Sequence, residues 1–105
     1  MNELLLDRAM SSAMANLRFI KAFASDDRTV VRTLIQSAAD CSQHCIECAR
    51  SAEAGSVLPE TMDLWCASCQ AFSNLIESSS IESTELVACA EACDNCIRTC
   101  HRQGV

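Results

Sequence analysis

Apolar and small residues return every three or four positions along most of this chain, the period of one helix face rather than of a strand. Punctuation divides the pattern into four stretches. The first runs from about Asn2 to Ala24 and ends before Ser25-Asp26-Asp27, where either aspartate can cap the next helix. The second runs from about Arg28 to Ala54 and stops at Gly55, a natural residue just past a helix end. The third starts near Leu58 with Pro59 in its first turn and fades in Ser78-Ser79-Ser80. Ser79 and Glu82 have capping-box spacing for the fourth, which ends near Gln103 before Gly104. Connections this short set sequential helices antiparallel. The expected fold is therefore all-α: one domain over residues 1–105, an antiparallel up-down-up-down four-helix bundle.

What lies on the faces is less ordinary. Nine cysteines read Cys41-x3-Cys45-x2-Cys48, Cys66-x2-Cys69 and Cys89-x3-Cys93-x2-Cys96-x3-Cys100. At about 100° per residue the three of the second helix share a ~60° arc, and the four of the fourth share one as narrow. Val30 and Leu34 are read onto the second helix's arc. The third helix carries a stripe of Leu58, Met62, Trp65, Cys69, Phe72 and Ile76, with Cys66 at its edge. A rise of 1.5 Å per residue puts all these thiols toward the same end of an antiparallel bundle. Met10 and Met14 of the first helix fall at that level. The expectation is a core half lined with cysteine, and another half packed by Leu17, Ile20, Val30, Leu34, Leu75, Ile76 and Leu86.

Composition agrees with this picture. Two glycines and one proline leave no material for many short strands, and much of the apolar half of the chain is Ala and Cys. The net charge is −6, and Ser51 to Ile97 holds no Lys or Arg against eight carboxylates. Such a surface disfavours nucleic acid and anionic membrane as partners. The N-terminal stretch lacks a basic region and a long apolar run, and no other stretch is apolar enough to span a bilayer. A cytoplasmic setting with reduced thiols is the expectation, and an odd number of cysteines prevents complete internal pairing.

Cysteine is also a small buried hydrophobe, but nine aligned thiols exceed that role. Closed zinc sites commonly use C-x2-C pairs on turns, and iron–sulfur runs wrap loops around a cluster. Thiols in line along rigid helices suit Cu(I) better: it is soft and accepts few ligands, although softness leaves Zn(II) open. His44, about 40° from Cys48, His101, beside Cys100, and Met10 are candidate accessory ligands. Met14 and Met62 are read chiefly as core filler, and Trp65 as a core anchor whose N–H reaches the boundary. No nucleophile–base–orienter set, phosphate loop or dinucleotide fingerprint is present, so an enzyme is not expected.

Ala88-Cys-Ala-Glu-Ala-Cys-Asp-Asn-Cys-Ile-Arg-Thr-Cys-His resembles the helical cysteine signature of the four-helix-bundle copper storage proteins, and Ala39-Asp-Cys-Ser-Gln-His-Cys-Ile-Glu-Cys-Ala is a second such stretch. The resemblance implies a core whose thiolates bind several Cu(I) ions per chain. Carried over residue by residue, the ligands would be Cys41, Cys45, Cys48, Cys66, Cys69, Cys89, Cys93, Cys96 and Cys100. Members of that family tend to carry cysteine on all four helices, whereas Met1–Asp40 has none, so capacity should be lower than in a fuller member. Two other readings stay open. One is a thiol redox sensor with an accessible, activated sulfur near Cys100 or Cys66. The other is a structural or interaction bundle, Zn(II)-bound or forming a homo-oligomer through its cysteine-free first helix.

Overall fold

A computed structural model describes residues 2–103. It contains α1 (Asn2–Ala22), α2 (Thr29–Glu53), α3 (Pro59–Ser78) and α4 (Thr84–Gln103), and no strand among the described residues. Each helix packs against its neighbours in sequence, and α4 closes the ring against α1. Two sulfur–backbone contacts fix the register of that closure: Cys89 Sγ donates to the Ala15 carbonyl at 3.3 Å and Cys96 Sγ to the Arg8 carbonyl at 3.4 Å. Seven residues forward on α4 match seven residues back on α1, which is antiparallel packing. The molecule is an all-α four-helix bundle, as expected from the periodicity.

The helix ends follow local chemistry. Gly55 has φ +96°, and the N–H groups of Gly55 and Ser56 return to the carbonyls of Ala52 and Ser51, which stops α2 with a Schellman turn. Pro59 opens α3 where its missing N–H costs nothing. Two expected caps move. Neither aspartate caps α2; instead Asp26 binds the Arg28 backbone and guanidinium, and Arg28 occupies the cap position without a side-chain bond. Ser79 donates to the Ile76 carbonyl and finishes α3, while Ser83 accepts the Leu86 N–H at 3.2 Å and starts α4. Gly104, the expected terminator of α4, lies outside the described residues.

The core divides lengthwise. One half is hydrocarbon: Phe19, Leu34, Phe72 and Leu86 are fully buried, and the rings of Phe19 and Phe72 meet at 6.3 Å. Ile20, Leu75 and Ile76 pack against this half from partly buried positions. Two expected members do not belong to it. Leu17 is 49% and Val30 40% exposed, and the inward positions are Phe19 and Val31. Stepping back from Cys41 by threes and fours gives Ala38, Leu34 and Val31, so Val30 falls a residue off the stripe.

Candidate metal centre

Eight of the nine cysteines are buried, Cys66 is half-buried, and all are free thiols. Cys41, Cys69 and Cys93 bring their sulfurs within 4.8 Å of one another, drawn from α2, α3 and α4. Cys45, Cys69 and Cys96 do the same from the same three helices. Cys69 belongs to both triangles, so five thiols form one continuous group with a shared vertex. The stripes on α2 and α4 face each other across the bundle, and α3 inserts Cys69 between them.

The geometry fits a soft ion. At the centre of an equilateral triangle with 4.8 Å edges an ion lies ~2.8 Å from each sulfur, and a ~2.3 Å metal–thiolate bond needs edges of ~4.0 Å. The Cys41–Cys69 edge is already 3.6 Å. A small inward turn of the side chains closes the rest. Three sulfurs per site leave a fourth tetrahedral position unfilled, which favours an ion content with low coordination.

The other four thiols extend the column in both directions. Cys89 lies on the hydrocarbon side, against the Ala15 carbonyl. Cys100 neighbours Cys66 toward the opposite end, and Cys48 feels the charge of Cys96. From Cys89 to Cys100 the column spans ~16 Å of α4.

Sharing of protons polarises the five-sulfur group. Cys45, Cys69 and Cys93 donate toward Cys41 and hold its thiol well below the ordinary range. Cys45 and Cys69 do the same for Cys96, lowering it to about 5, with a contribution from Ser12. The donors pay the complement: Cys45, Cys69 and Cys93 are pushed up, first by their bond to Cys41. Burial, then the charge of Cys96, raises Cys48 to about 11. Burial, then Cys41 and Glu85, raises Cys89 to about 12. Burial and Cys66 raise Cys100. One thiol of each triangle is lowered, Cys41 in the first and Cys96 in the second, and a cation held by all three sulfurs would displace their protons.

The candidate accessory ligands stand apart from these triangles. Met10 lies at the expected level but on the outer face, 42% exposed, and Met14 is beside it on that face. Neither lines the sulfur wall; the inward stripe of α1 is Leu5, Ala9, Ser12, Ala13, Asn16 and Phe19. His44 is half-buried with Nδ1 4.0 Å from Glu47, and His101 is exposed. Trp65 is fully buried and its Nε1 meets no acceptor, so its N–H does not reach the boundary. An open groove of about 790 Å³, lined in part by Ile76, Ile81 and Val87, touches no sulfur.

Sequence reasoning missed two polar residues of α1. Ser12 and Asn16 are fully buried, and neither side chain makes a hydrogen bond of normal geometry, although Ser12 lies near enough to Cys96 and Asn16 to Cys41 to lower those thiols. A buried polar group left unpaired costs about 1–3 kcal/mol. A signal existed: their spacing of four continues the stripe through Leu5 and Ala9.

A family model for the copper storage proteins matches residues 3–104, nearly the whole chain. The chain belongs to the copper storage protein family. No curated protein and no solved structure shows a significant match to it. Membership covers α1 as well as the cysteine-bearing helices, so the wall without thiols is part of the matched sequence. No helix among the described residues is long and apolar enough to cross a membrane.

Proposed function

We propose that this protein stores or buffers Cu(I), holding several ions as cargo on the thiolates of Cys41, Cys45, Cys48, Cys66, Cys69, Cys89, Cys93, Cys96 and Cys100, without an enzymatic step. The observation that carries the reading is the pair of buried sulfur triangles sharing Cys69. Sulfurs shared between neighbouring Cu(I) ions spread the buried thiolate charge over several cations, and the acidic surface attracts cations toward the bundle. Each ion bound displaces thiol protons, so loading deprotonates the core and tightens the fold together.

Zn(II) is the competing cargo, since thiolate also suits it, but it prefers a fourth ligand. The redox reading asks for an accessible, activated thiol. Of its two candidates, Cys100 is only 5% exposed with its thiol pushed up by burial and Cys66 is half-buried, while the sulfur lowered to about 5, Cys96, is fully buried.

Anaerobic titration of the reduced protein with Cu(I) against a competing chelator tests the proposal. At least two tightly held ions per chain are expected, with Zn(II) displaced by Cu(I) at equal concentration. Less than one ion per chain, or removal of all copper by a weak competitor, sinks it.

A further inference from the structure

We propose that α1, the helix without cysteine, takes part in the metal centre by donating hydrogen bonds from Asn16 and Ser12 to copper-bound thiolates. The inference rests on the copper-binding reading and assigns to α1 a role beyond packing.

Four observations converge on it. Asn16 and Ser12 are each 0% exposed, one helical turn apart on the inward stripe of α1. Neither the Asn16 amide nor the Ser12 hydroxyl makes a hydrogen bond of normal geometry. The contacts of Cys89 with Ala15 and of Cys96 with Arg8 bracket Ser12, and Asn16 follows Ala15 by one residue, so Ser12 lies level with the stretch of the column between them and Asn16 beside its Cys89 end. Asn16 neighbours Cys41 and Ser12 neighbours Cys96, one residue for each of the two sulfur triangles.

The chemistry explains why polar side chains stand where alanine would pack. In the empty protein neither the amide nor the hydroxyl makes a formed hydrogen bond to the sulfur beside it, so each gains little there. A metal-bound thiolate carries charge in a low-dielectric core and accepts strongly. Where thiolates outnumber Cu(I), the cluster is anionic, and no Lys or Arg side chain among the described residues lines the buried core. Asn16 N–H and Ser12 O–H are the neutral donors that the fourth wall supplies. They are positioning residues: they act on the sulfurs, not on the ion.

The role separates from a packing role by the sign of its effect on two states. Asn16→Leu and Ser12→Ala remove the donors while keeping the core filled. With the full chain, thermal unfolding of the empty protein should occur at the same or a higher temperature in both variants, because an unpaired polar group has gone. Cu(I) affinity, read by competition with a chelator at fixed pH, should fall about tenfold for each variant, the scale of a lost charge-assisted hydrogen bond. Ser12→Thr, which keeps the hydroxyl, should retain wild-type affinity. Variants that bind Cu(I) as tightly as wild type overturn the inference, as does an equal loss of stability in empty and loaded protein. A wild-type chain that binds no copper in the same titration would instead remove the storage reading on which it rests.

Discussion

Cys69 is the vertex common to both sulfur triangles, so replacing it removes a sulfur from both candidate ion sites at once. Cys69→Ala should lower the Cu(I) capacity by at least one ion more than Cys48→Ala, whose sulfur belongs to neither triangle. Equal losses in parallel titrations would show that the triangles do not act as the binding units. Side chains outside the centre follow ordinary rules. Ser83 binds the Leu86 N–H at the start of α4, and Ser83→Ala should cost about 1 kcal/mol of stability with copper capacity unchanged. Residue by residue, the sequence is least informative where alternatives sit side by side. Ser79 and Ser83 both offer caps, and Ser79–Glu82 has the better-known spacing, yet the chain turns at Ser83. Val30 and Val31 differ by one position and by 100° of helix rotation, and only Val31 is buried.

At the scale of helices, α2 and α4 were legible because cysteine marks their inner faces unambiguously at steps of three and four. The convergence of α2, α3 and α4 at one level followed from rise per residue and antiparallel order, and the shared triangles show it. The inner face of α1 was not legible. Met10, Met14 and Leu17 form an apolar run at helical spacing, and the true stripe is built from alanine, serine and asparagine, whose hydrophobic signal is faint. The large side chains went outward because the bundle interior at that level is occupied by sulfur from three other helices. Small residues let α1 approach closely enough for the Ala15 and Arg8 carbonyls to touch Cys89 and Cys96. Enlarging Ala9, which is 0% exposed, tests this directly. Ala9→Leu should destabilise the empty protein by about 1–3 kcal/mol in denaturant unfolding, the usual cost of overpacking, whereas the exposed Met10→Leu should leave stability unchanged.

Over the whole molecule the thiols couple stability to pH. Cys45, Cys48, Cys69, Cys89, Cys93 and Cys100 are raised on folding, and only Cys41 and Cys96 are lowered. A raised thiol favours the fold while it stays protonated; that contribution is complete below its unfolded value of ~8.5 and fades as pH climbs toward the folded one. With Cys48 at about 11 and Cys89 at about 12, the melting temperature of the reduced, empty protein should fall steadily from about pH 8.5 upward. Copper-loaded protein, its thiols already deprotonated, should show a much flatter curve; matching slopes would contradict metal–thiolate binding in the core. The hydrocarbon half bears on a different property. Phe19, Phe72, Leu34 and Leu86 are packed without help from any ion, and they join all four helices just beyond the sulfur column. The folded chain therefore has a support that does not depend on filling the sulfur column. On the proposed storage reading, a vessel of this kind can be drained and refilled without losing its walls.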